Sequence, residues 1–231
     1  MANENMQLKA FISYSSKDKL IGGKIKEKLD SFSIEGFLAH DDIYVAEEWK
    51  QRIREELSKS DIFIPLLSKN FKESDWCQQE LGIAYYRDIF IIPLQLDANT
   101  NPFGFINHIQ GKQFEFRFIE CQGMRIIQEH SDLLTYLIQP IVGEFPSPMI
   151  PAVIKELERA GSYCYAERVM ELLVPYFDKF KREDIDTFID AAINNNQIFV
   201  AALCRGEYLP KFIEINKDKI NSENLEILSY Q

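Results

Sequence analysis

Trp76 and Glu80 are the two residues whose types and spacing could do chemistry. They lie in Ser74-Asp75-Trp76-Cys77-Gln78-Gln79-Glu80-Leu81, within a run from Asn70 to Arg87 whose pattern predicts a helix. Ser74 and Asp75 are start signals, and apolar residues recur at Leu81, Ala84 and Tyr85. Residues four apart share a helix face, so the indole would lie beside the carboxylate. Such a pair suits a site that holds a flat cationic ring and steadies a sugar cation next to it. The plain alternative is a helix with a core tryptophan and a solvated glutamate.

The flanking elements that must position this pair alternate between strand and helix. Lys9–Ser13 (KAFIS) reads as a buried strand that opens into polar Tyr14-Ser15-Ser16-Lys17-Asp18. Lys19–Phe32 has helical spacing, with Leu20, Ile25, Leu29 and Phe32 facing inward. Gly36 is expected to break that helix before a second strand, Phe37-Leu38-Ala39, and the loop from His40 to Ala46. Glu47–Lys59 reads as a helix with Trp49, Ile53 and Leu57 on one face, and Asp61–Leu67 as a third strand. Ile89–Leu96 is the fourth strand, and its Pro93 points to an edge position or a bulge.

This alternation predicts parallel βαβ units and an α/β, doubly wound, flavodoxin-like sheet. Such sheets bind ligands beyond the carboxyl ends of their strands. The loops there carry Ser15, Asp18, Asp41, Asp42, Ser68 and Asp97, each of which is equally suited to a turn or cap. Farther along, Gln113–Phe118 alternates like a half-exposed strand, and Ser131-Asp132 could cap a helix through Ile138. Gly143–Pro151, with its crowded prolines, reads as a linker. The expected domains are therefore 1–145 and 146–231, the second a small all-α C-terminal domain for packing or partner contact. Its apolar sets are Val153-Ile154-Leu157, Ala166-Val169-Met170-Leu173, Ile185-Phe188-Ile189-Ala192 and Ile198-Val200-Ala201-Leu203.

Charge and composition narrow the partners. The chain has 231 residues with 26 Lys+Arg against 36 Asp+Glu, a net charge of −10. That disfavours nucleic acid and anionic membrane surfaces as ligands. From Pro146 on the count is 10 basic against 14 acidic residues, −4, which favours protein contact or self-association for the tail. No apolar run approaches the ~20 residues of a membrane span, and the first residues lack the pattern of a secretory signal. Cys77, Cys121, Cys164 and Cys204 show no CxxC spacing, so free thiols, no zinc site and a cytoplasmic location are expected.

Together, KAFISYSSKDK (Lys9–Lys19), HDDI running into EEWKQRIREEL (His40–Leu57), SDIFIPLLSKNFKESDWCQQEL (Ser60–Leu81) and IIPLQLD (Ile91–Asp97) resemble a TIR (Toll/interleukin-1 receptor) domain of the bacterial type. The pieces occur in the family's order over about residues 8–140. Ala46 departs from the pattern, since many members have Gly or Ser there. The resemblance implies an NAD⁺-cleaving activity that needs no cofactor, NAD⁺ being the substrate. It implies that Glu80 is the catalytic glutamate of a W-x-x-x-E element and that Trp76 packs beside the bound nucleotide; Ser15, Asp41 and Cys77 are the further substrate-binding candidates. It further implies self-association through the TIR domain and a place in bacterial anti-phage defence, while the protein partner expected for the helical tail rests on the tail's charge. A TIR adaptor without catalysis has the same fold and stays open. A third reading, a receiver or nucleoside deoxyribosyltransferase module, is weaker, because a receiver needs an acidic residue where Ser68-Lys69-Asn70 stands.

Overall fold

The computed structural model describes residues 7–39, 49–114, 116–121, 124–128 and 133–229. These divide into two compact units, one spanning Met6–Leu137 and one Ile138–Gln231. The division falls somewhat before the expected 145/146 boundary.

The first unit is built on a parallel sheet in the order β2-β1-β3-β5-β6, with β4 also pairing with β3. The strands are β1 (Lys9–Ser13), β2 (Glu35–Leu38), β3 (Ile62–Leu67), β4 (Phe90–Ile91), β5 (Leu94–Gln95) and β6 (Lys112–Gln113). Helices α1 (Lys19–Ser31), α2 (Trp49–Lys59), α3 (Lys69–Lys72) and α4 (Asp75–Tyr86) connect them. A separate antiparallel hairpin pairs β7 (Arg117–Cys121) with β8 (Met124–Gln128). All six residues of β3 are buried. A strand covered by helices on both faces needs such an unbroken apolar run, so the α/β sheet read from the sequence is the sheet observed.

One apolar layer lies between the sheet and the helices that follow its carboxyl edge. It contains Phe11, Ile53, Leu57, Phe63, Leu67, Phe71, Cys77, Leu81 and Ala84. The Phe11 and Phe63 rings stack at 5.8 Å. Side chains alternate along a strand, so Ser13 emerges on the same sheet face as Phe11.

Several local expectations are corrected. Leu20 is 52% exposed and its neighbour Ile21 takes the buried position. Gly36 does not end α1; it lies in β2, where a Cβ would stand 3.1 Å from the Lys26 side chain. The helix ends at Ser31, and the chain turns away at Ser33, whose φ of 59° is left-handed. The Asn70–Arg87 run is two helices, because Ser74 accepts from the Cys77 amide and starts α4 afresh. Pro93 is not on an edge, since β5 has β3 on one side and β6 on the other. The register that pairs Phe63 with Ile91 and Leu66 with Leu94 sets Pro65 opposite Pro93. Neither supplies an N–H, so the ladder breaks there into β4 and β5. Gln113–Phe118 likewise divides between β6 and β7. Trp49's side chain and residues 40–48, where the loop from His40 to Ala46 and the start of the helix at Glu47 are expected, fall outside the described residues, as do Ser131 and Asp132.

The second unit is helical throughout its described residues: α5 (Gln139–Glu144), α6 (Pro146–Glu158), α7 (Tyr163–Glu171), α8 (Arg182–Asn194), α9 (Asn196–Phe199), α10 (Leu209–Asn216) and α11 (Ser222–Ser229), with short 3-10 and π turns. The expected linker is not one. Pro146 and Pro148 sit in the first turn of α6, where helix N–H groups have no partner to lose, and Pro151 follows inside the helix. The predicted apolar sets are buried except Val200 and Leu203, which are 50% and 46% exposed. The core centres on Phe177, Phe180, Phe188 and Phe212, with Phe188 and Phe212 at 4.3 Å. Buried Asn216 closes it, donating to the Phe177 and Phe212 carbonyls at 3.0 and 3.3 Å. Asn216→Ala is expected to cost about 2 kcal/mol, since two buried carbonyls lose their donor; urea unfolding measures it.

Candidate functional site

Glu80 belongs to the buried stripe of α4, together with Cys77, Leu81 and Ala84. The spacing of that stripe is what an amphipathic helix uses to cover a sheet, yet one of its members is a carboxylate. Glu80 is 1% exposed, which overturns the alternative of a solvated glutamate. Its Oε2 accepts a 2.5 Å hydrogen bond from the Ser13 hydroxyl at the carboxyl end of β1. Its Oε1 is buried with no hydrogen-bond partner among the described residues. Burial pushes the Glu80 carboxyl up to about 7, against the pull of the Ser13 hydroxyl, which favours the charged form. A group that is neutral or charged according to small changes near pH 7 is unusual outside functional sites.

Trp76 lies one turn before Glu80 on α4 and is half-buried, so it is neither a full core residue nor a free surface one. Tyr85, expected on the inner face, is 41% exposed instead. Cys77 is fully buried in the apolar layer, close to Ser13 and Glu80. Burial pushes its thiol up to about 11, which keeps it protonated and inert as a nucleophile. It backs Glu80 from inside the fold. Ser15 is half-buried in the turn after β1, and its carbonyl accepts from the Asp18 amide at 2.7 Å. Asp41 and Asp42 lie outside the described residues.

The other polar residues beyond the strands tie the loops together. Ser68 donates to Asp18 at 2.6 Å and accepts from the Phe71 amide at 3.0 Å, which caps α3. Asp97 accepts from the Lys69 amide at 2.7 Å on the same helix start. Asp18's carboxyl is raised above the ordinary range, chiefly by burial, with Asp97 adding to the rise and Ser68 opposing it. Lys17 donates to Asn70 across the same gap. The residues Ser68 and Asp97 therefore serve as caps, and Asp18 anchors the turn after β1.

Ser13, the partner of Glu80, is the residue of this candidate site that sequence reading missed. The signal was present: a hydroxyl directly after the apolar Ala10-Phe11-Ile12, at the strand's carboxyl end. Among the described residues no group of three or more His, Cys, Asp or Glu side chains is placed to hold a metal ion. No helix among them is long and apolar enough to cross a membrane. A groove of about 720 Å³ lies between α2 and α4, lined by Gln79, Gly82, Ile83 and Tyr86 among others, but not by Glu80.

Residues 10–121 match the family model of the TIR domain. No curated protein matches the chain. Among solved structures, the chain is similar to the TIR domain of the Toll-related receptor TRR-2 from Hydra magnipapillata. The two are 22% identical, the match covers 46% of this chain and 82% of that one, and the TM-score is 0.41.

Proposed function

Given that residues 10–121 form a TIR domain, we propose that this protein cleaves the nicotinamide–ribose bond of NAD⁺, with Glu80 as the catalytic residue. The observation that supports this best is the buried Glu80 carboxyl, with one oxygen held by Ser13 and the other without a partner among the described residues. A buried polar atom left unpaired costs free energy, so its persistence is better explained by a ligand that meets it than by folding.

The reaction asks little of the protein. Nicotinamide in NAD⁺ is a cationic pyridinium. When the bond from C1′ of the ribose to the ring nitrogen breaks, the electron pair goes to the nitrogen and nicotinamide leaves neutral. No general acid is needed to protonate it, unlike the sugar oxygen that leaves in ordinary glycoside hydrolysis. One carboxylate then suffices. Ionised Glu80 accepts a hydrogen bond from a ribose hydroxyl and stabilises the positive charge that develops on the sugar. Water adds to C1′ and loses a proton to give ADP-ribose, or a nucleophile of the same nucleotide adds to give a cyclic product. Incubation with NAD⁺ followed by chromatography tests the reading and identifies the product. Free nicotinamide with ADP-ribose or a cyclic isomer is expected.

Trp76 supplies the flat surface beside Glu80. If it stacks on the pyridinium, a contribution of roughly 0.5–2 kcal/mol is expected, or about two- to thirtyfold in rate. Trp76→Ala should then slow nicotinamide release by that factor, while Trp76→Phe stays within a few-fold. The melting temperature should change little, because Trp76 is only half-buried.

One observation favours the second reading, a TIR adaptor that acts by assembly alone. Glu80 is 1% exposed in the single chain, so NAD⁺ reaches it only if the surrounding segments part. In the catalytic reading, self-association through the TIR domain is the event that opens the site, and the helical unit offers the partner surface. In a bacterial cell the resulting loss of NAD⁺, or the cyclic product, would serve anti-phage defence.

A further inference from the structure

We propose that Ser13 is the positioning residue for Glu80: its hydroxyl holds Oε2 and thereby reserves Oε1 for the ribose hydroxyl of the substrate. The role of Oε1 rests on the NAD⁺-cleaving reading above; the role of Ser13 rests on geometry.

Ser13 ends β1 and is fully buried. It faces the layer occupied by α4, so its hydroxyl has no route to water. The hydrogen bond it donates to Glu80 Oε2 is 2.5 Å long and joins residues 67 apart in sequence. It ties β1 to α4, the helix that comes after the neighbouring strand β3. A buried carboxyl held through one oxygen turns less freely about its last bond, which narrows the directions open to the second oxygen. That second oxygen is Oε1, the buried atom without a partner among the described residues. The two oxygens are thus unequal before any ligand arrives, which is the arrangement a preformed acceptor needs.

The groups around Glu80 leave this role to Ser13. From α4, Cys77 presents a protonated thiol that itself lies within reach of the Ser13 hydroxyl. Asp18, beyond β1, bears on Cys77 and is bound to Ser68. Burial is the main influence on Glu80, and Ser13 is the opposing one that favours its charged form.

The test uses the full chain as wild type, Ser13→Ala and Ser13→Thr. The side-chain carboxyl of Glu80 is followed by ¹³C NMR of glutamate-labelled protein, with Glu80→Gln assigning the signal, and nicotinamide release is measured in parallel. In Ser13→Ala the Glu80 titration should move up by about one pH unit, because the charged form loses its donor. The acidic limb of the pH–rate profile should move with it. The kcat should fall about ten- to a hundredfold with KM within a few-fold, as expected for a misplaced reacting group. Ser13→Thr keeps the hydroxyl and should restore both. If the added methyl prevents folding, Ser13→Cys, a weaker donor, should give an intermediate shift. An unchanged Glu80 titration in folded Ser13→Ala overturns the positioning role, and so does a fall in kcat without that shift. A wild type whose Glu80 titrates as described but which releases no nicotinamide overturns the NAD⁺-cleaving reading and the substrate role of Oε1. The shift in Ser13→Ala would still establish the positioning.

Discussion

Glu80→Gln should leave the protein folded and lower nicotinamide release by about a hundred- to a thousandfold. Gln keeps the size of the side chain and an oxygen for the Ser13 hydroxyl to bind. What it loses is the negative charge aimed at the sugar cation, and removing one preorganised electrostatic partner of that kind typically costs this much. Glu80→Ala should be at least as impaired, since it also leaves Ser13 without its acceptor. Rates on NAD⁺ with circular dichroism of the same samples check both. A folded Glu80→Gln variant with near-normal turnover would mean that the carboxylate charge is not used.

The second large effect is on stability and its dependence on pH. Burial raises the Glu80 carboxyl from 4.5 to about 7. Between those values the native state binds a proton at Glu80 that the unfolded chain has given up. Stability therefore falls as pH rises from about 4.5 to about 7, and the full loss is present above 7. The loss amounts to about 3 kcal/mol. Gln carries no charge at any pH and escapes it. The stability of Glu80→Gln relative to wild type should therefore grow by about 3 kcal/mol between pH 4.5 and pH 8, measured by urea unfolding at each pH. A constant difference across that range would show that Glu80 is not strained by its burial. The substitution expected to lower turnover most is thus also expected to stabilise the fold at neutral pH.

The fold was legible because parallel strands announce themselves. KAFIS and DIFIPLL are apolar runs of strand length, and each is followed by a polar loop and then helical spacing. What failed were places where one residue type serves two ends. Prolines that looked like a linker between the domains open α6, since its first turn needs no donors. Gly36 looked like a helix stop but is wanted in β2 for its lack of a side chain against Lys26. Leu20 and Ile21 are adjacent and equally apolar, and the helical phase that buries one exposes the other.

The site was legible in one dimension and not in three. Spacing along α4 put Trp76 and Glu80 together, and nothing in that spacing said that Glu80 would be buried with Cys77 and Leu81. The hydrogen-bond partner of Glu80, Ser13, is 67 residues away, and only the packing of β1 against α4 brings them together. Conversely, Ser68 and Asp97 have the right chemistry at the right sheet edge and are consumed by the start of α3.

The buried glutamate of this TIR domain is proposed to act on NAD⁺. The direct measurement is nicotinamide release from NAD⁺ by the full chain over a series of protein concentrations, for wild type and Glu80→Gln side by side. Release by wild type should rise more steeply than the protein concentration, as self-association opens Glu80, and the variant should release almost none. No release by wild type at any concentration, or equal release by both proteins, would contradict it.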